Sequence, residues 1–84
     1  MTKEQATKIY TFMDTLEEFV FSGRPIDHTT MRCDEGAVIF IKVSGYANPI
    51  ILTVTDEKVA LKGPHTEYKE KSTDIKNAFV SAGL

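Results

Sequence analysis

The chain has 84 residues, of which 42% are hydrophobic and 26% charged. That balance suits one folded domain with a small core and argues against a disordered tract. A net charge of −2 disfavours a general phosphate-backbone binder, and the one cysteine, Cys33, excludes an internal disulfide framework.

No apolar segment approaches the length of a membrane-spanning helix, and the N-terminal stretch Met1 to Lys8 is polar, without a signal-peptide core. A cytoplasmic location away from membranes is therefore expected.

In chain order, the first predicted element is an amphipathic helix from Lys3 to Phe21. Thr2 and Gln5 match a capping box, in which each side chain satisfies the other residue's free N–H. Ala6, Ile9, Tyr10, Met13, Leu16 and Val20 recur at helical spacing, and Phe12 and Phe19 widen the stripe. Gly23 is placed as a left-handed cap, and Pro25 cannot continue the helix. Asp14, Glu17 and Glu18 crowd the end of this helix, where negative charge opposes the helix dipole. They are read as a solvated face or as an acidic patch for a basic partner.

Ile26 to Thr29 reads as a connector, and Thr30 to Asp34 as a short strand with Met31 and Cys33 inward and Arg32 outward. Asp34-Glu35-Gly36 then suits a bulged hairpin closed by a glycine of positive φ.

Ala37 to Val43 and Ile50 to Thr55 are short runs rich in β-branched residues, as strands require. Turn formers from Ser44 to Pro49 join them, and so short a connection demands antiparallel pairing. Asp56-Glu57-Lys58 turns the chain into a third strand, Val59 to Lys62, closed by Gly63-Pro64.

His65 to Lys71 is polar and reads as a connector with Tyr68 as an anchor. A last helix follows, with Ser72 or Thr73 as N-cap, Ile75, Ala78, Phe79 and Ala82 as its stripe, and Gly83 as its stop. The expected fold is thus an α+β domain over residues 1–84: an N-terminal helix, a three- to four-stranded antiparallel meander and a C-terminal helix.

Alternation along the strands sorts side chains by face. Ala37, Ile39, Ile41, Val43, Ile50, Leu52, Val54, Val59 and Leu61 make a continuous apolar face, assigned to the core. The opposite face carries Val38, Phe40 and Ile51 beside Lys42 and Lys62, with Arg32 near them. Such an apolar centre is unusual on a face that ought to be wet, and is read either as core under one of the helices in a three-layer domain or as an open interface.

No chemistry-bearing constellation stands out. One cysteine and two distant histidines, His28 and His65, fall short of a zinc ligand set. An inward Cys33 would be an inert thiol, and Gly36, Gly45 and Gly63 are isolated turn glycines rather than a phosphate loop.

No catalytic residue, metal site or cofactor is therefore expected, and no enzyme activity. The expected role is binding: a partner protein, or a second copy of the chain, through the face of Val38, Phe40 and Ile51 or through the acidic helix end. Self-association across that face would give a symmetric dimer. The alternatives are a single-stranded nucleic-acid platform in which Phe40 and Tyr46 stack bases beside Arg32, Lys42 and Lys62, or an accessory inhibitor protein from a mobile element.

Overall fold

In the computed structural model, which describes residues 1–84, two helical segments flank a four-stranded antiparallel sheet. Helix α1 spans Lys3–Thr15 and runs on as a π-helical turn, Leu16–Val20. The strands are β1 (Ile26–Cys33), β2 (Gly36–Val43), β3 (Ile50–Val54) and β4 (Val59–Leu61), in spatial order β1-β2-β3-β4. A 3-10 turn, Thr66–Lys71, leads into helix α2, Ser72–Ser81.

The capping box forms as expected: Gln5 N–H donates to Thr2 Oγ1 at 3.0 Å, and Thr2 N–H to Gln5 Oε1 at 2.9 Å. Gln5 also donates from Nε2 to the carbonyl of Thr55 at 2.6 Å, tying the start of α1 to the end of β3.

The other end of this helix departs from simple α periodicity. Phe21 N–H reaches back to the carbonyl of Leu16, a wider turn than the α-helix makes. The widening turns Leu16, Val20 and Phe21 inward together and leaves Phe19, expected on the stripe, 75% exposed. Tyr10, also expected on the stripe, stands at its margin and is 56% exposed. Ser22 and Gly23, both at positive φ, then reverse the chain.

One cluster of sixteen buried residues joins both helices to one face of the sheet. From the helical side come Ile9, Phe12, Met13, Leu16, Val20, Phe21, Tyr68, Ile75 and Ala78; from the sheet come Ala37, Ile39, Ile41, Val43, Ile50, Leu52 and Val54. Val59 and Leu61 are half-buried against it. The helices therefore lie side by side on one face, and the other face of the sheet carries no helix. A two-layer arrangement of this kind is the simplest cover for one small sheet.

The first strand differs from expectation in length and in facing. It begins at Ile26, so the predicted connector is part of the strand. Cys33 pairs directly with Gly36, leaving a two-residue loop, Asp34-Glu35, with no bulge. Losing the expected extra residue slips the register by one, and a one-residue slip moves every side chain to the opposite face. Met31 accordingly stands opposite Val38 on the open face, and Cys33 is exposed. Arg32 stands opposite Ala37, on the helix side. Gly36 is needed for close approach: a Cβ there would run into the backbone carbonyl of Val54.

The predicted N-cap of the last helix is absent as well. No side chain caps Ser72–Ser81, because the 3-10 turn feeds straight into it. The start of that turn is held instead by His65, whose Nδ1 accepts the N–H of Glu67 at 3.0 Å.

Candidate functional site

The open sheet face is built by cross-strand register. Thr29, Phe40 and Ile51 form one row across β1, β2 and β3; Met31, Val38, Thr53 and Ala60 form the next across all four strands. Side chains directly opposite on antiparallel strands have Cβ atoms about 4.5 to 5.5 Å apart, so the members of each row touch their neighbours. Phe40, Val38 and Ile51 are half-buried by these lateral neighbours alone, whereas Met31 is 58% exposed. The result is an apolar strip of Met31, Val38, Phe40 and Ile51 that no other part of the chain covers.

Charge sits at the rim of this strip. Lys42 stands opposite Asp27 in register, without a salt bridge between them, and Lys62, whose N–H bonds to the carbonyl of Ile51, follows the end of β4. Both lysines are exposed. An apolar centre with a charged, solvated rim is the usual anatomy of a protein-binding patch.

The remaining predicted binding residues lie elsewhere. Asp14, Glu17 and Glu18 are exposed on the helical layer, away from the open face. Glu17 serves the fold, since its Oε1 accepts the N–H of Ile26 at 3.1 Å and caps the start of β1. Asp14 and Glu17 line a cavity of about 150 Å³ with Tyr10, Met13, Ile26 and His28. Arg32 lines a second one, about 390 Å³, with Lys3, Ala6 and Thr30. The acidic helix end and Arg32 thus flank the trench between α1 and β1, and do not join the open-face strip.

Tyr46, considered as a base-stacking partner for Phe40, is committed to another cluster. Its ring stacks on Tyr68 at 4.9 Å between centroids, meets Phe21 edge-on at 5.2 Å, and lies under the Arg24 guanidinium at 5.8 Å. Phe40 is left as the one aromatic side chain on the open face.

This second cluster is a polar and aromatic clamp on the β2–β3 loop. The Glu67 carboxylate accepts the N–H groups of Ala47 and Asn48 at 2.9 and 2.8 Å, and Nδ2 of Asn48 at 3.2 Å. Those backbone donors hold its carboxyl below the usual carboxylate range. The buried hydroxyl of Tyr68 donates to the carbonyl of Asn48. Burial and the charge of Glu67 push its pKa up to about 12.

The sequence signals Tyr68 as an anchor but not Glu67 as the loop's acceptor. The only cue is an acidic residue next to the anchor, together with a loop rich in free N–H groups.

His28, His65 and Cys33 lie at three separate places: His28 edge-on to Tyr10, His65 capping the 3-10 turn, and Cys33 at the hairpin end. No three His, Cys, Asp or Glu side chains converge on a point. No helix is long and apolar enough to cross a membrane. Compared with known proteins, the chain matches no family model, no curated protein and no solved structure.

Proposed function

We propose that this is a non-enzymatic binding protein of the cytoplasm that engages another protein chain through the open sheet face. One observation carries this reading. Phe40, Val38, Ile51 and Met31 form a continuous strip on a face that neither helix covers, although both helices are available and amphipathic. Isolated exposed apolar residues are ordinary, as Phe19 and Val80 illustrate here, but a contiguous strip with a charged rim is the mark of an interface. Phe40, large, aromatic and central, is its natural anchor. Lys42 and Lys62 at the rim favour a partner surface with acidic groups around an apolar centre.

The test is a comparison of proteins retained from native lysate by the wild-type chain and by Phe40→Asp, with fold checked by circular dichroism. The expected result is a folded variant that loses specific partners, while Glu18→Lys on the helical layer keeps them. An unchanged set of partners on Phe40→Asp would overturn the proposal.

A further inference from the structure

We infer that the trench between α1 and β1 is a second binding site, for an extended peptide segment of a partner protein that is basic at one end, apolar in the middle and acidic at the other. It is a different surface from the open face, and its occupancy does not depend on that face.

The trench is continuous, and its charges are separated by sign. At the start of α1, Lys3 and Arg32 line the hollow of about 390 Å³. That hollow shares Ala6 and Thr30 with a narrow waist of about 60 Å³, where Ile9, Tyr10, Met13 and Ile39 also meet. The waist in turn shares Tyr10, Met13 and His28 with the hollow of about 150 Å³ beside Asp14 and Glu17. Lys3, Arg32, Asp14 and Glu17 are all exposed, and none takes part in an ion pair within the chain. Asp34 and Glu35, in the loop beyond Arg32, line none of the three hollows. One end of the trench is therefore positive and the other negative, with an apolar waist between them.

Size and backbone select the occupant. The trench follows β1 from Ile26 to Arg32, a span of about 20 Å. An extended peptide crosses that distance in about six residues and turns every second side chain to the same side. A charged residue at each end and an apolar one between them can thus all face the trench. The waist has room for one small aliphatic side chain, set against the ring of Tyr10, which is 56% exposed and edge-on to His28. The N–H groups of Ile26 and His28 already bond to Glu17 Oε1 and Asp27 Oδ1, so the peptide is held by side chains rather than by a ladder along the whole edge. Charge sets its direction: the basic end lies at Asp14 and Glu17, the acidic end at Lys3 and Arg32.

The test selects binders of the folded full chain from a displayed library of random peptides of about fifteen residues, long enough to cross about 20 Å either extended or as a helix. The expectation is enrichment of sequences with a basic and an acidic residue about six positions apart and an apolar residue between them. A synthetic peptide of the enriched sequence should bind more weakly as salt rises. Arg32→Glu should weaken its binding about tenfold, and changing the peptide's acidic residue to lysine should restore affinity for that variant. Tyr10→Asp should weaken binding at least as much. Both positions are exposed, so both variants should fold, as circular dichroism would verify. Phe40→Asp should bind the peptide like the wild-type chain.

No enrichment over the display support alone would overturn the inference. So would enriched peptides without the two opposite charges. Charges about thirteen positions apart, with apolar residues about every three or four, would overturn it in favour of a helix in the trench. Peptides lost with Phe40→Asp but kept by Arg32→Glu and Tyr10→Asp would belong to the open face and overturn it too. A chain that sediments as a dimer, and as a monomer once Arg32→Glu is made, would give the trench to a second copy instead.

Discussion

Two adjacent residues of one strand offer the sharpest test of which sheet face is core: Ile39 and Phe40. Ile39 is 2% exposed within the main cluster, whereas Phe40 is half-buried by its neighbours on the open face. Ile39→Asp removes a fully buried side chain, worth about 2 to 3 kcal/mol, and places a carboxylate where nothing pairs with it, costing several kcal/mol more. At roughly 0.05 to 0.15 kcal/mol per residue, a chain of 84 residues holds only about 4 to 13 kcal/mol of stability. This variant should therefore be largely unfolded. Phe40→Asp forfeits lateral contacts with Thr29 and Ile51 and part of a burial term, about 1 to 2 kcal/mol, and its carboxylate faces water. It should fold, with a melting temperature lower by about 5 to 15 °C. Thermal and urea denaturation followed by far-ultraviolet circular dichroism decide the matter. Loss of structure in Phe40→Asp equal to that in Ile39→Asp would refute the assignment of faces.

The other substitutions and titrations probe the joints of the fold. Gly36→Ala should destabilise by about 3 kcal/mol or more, because its Cβ would collide with the Val54 carbonyl oxygen and must push β2 off β3; a urea midpoint like wild type would contradict this. Tyr68→Phe leaves the Asn48 carbonyl without its buried donor and should cost about 1 to 3 kcal/mol, with exchange rising at loop amides Ala47 and Asn48. Raising the pH should erode stability from about 10, where an unfolded tyrosine ionises, to about 12, where Tyr68 does so in the fold; an ultraviolet titration should show one tyrosine ionising late. Glu67 acts in the opposite sense: its contribution is present above the ordinary carboxylate range and is lost as pH falls through and below it, so Glu67→Gln should flatten the acid limb of the stability curve.

Most of the fold is legible in the residues, and the reasons differ by element. Period-two alternation in Ala37–Val43 and Ile50–Val54 identifies the core face, because a side chain on a pleated strand has only two directions to take. Helix ends are legible where caps are local, as with Thr2 and Gln5. The π-helical turn is not, because nothing in Leu16–Val20 marks a wider turn; it arises from the need to bury Val20 and Phe21 together.

The facing of β1 runs against its composition for a related reason. Met31 and Cys33 are the apolar residues of that strand, and apolarity points them inward. Register comes from the loop, and the Asp34-Glu35 connection without a bulge turns them out. That inversion carries Met31 onto the open face and Arg32 away from it, so the candidate surface gains apolar area and loses a charge. Glu67 leaves no such trace in the sequence, because its partners, the N–H groups of Ala47 and Asn48, are distant along the chain. They meet it only in the folded chain, where the 3-10 turn carrying Glu67 lies against the β2–β3 loop.

Site-specific photo-crosslinking in intact cells tests the open-face interface most directly. A photoreactive phenylalanine analogue replaces Phe40 on the open face in one sample, and exposed Phe19 on the helical layer in another. An open-face interface predicts a discrete adduct with a second polypeptide from position 40 and none from position 19. Adducts from position 19 with none from position 40 would contradict it.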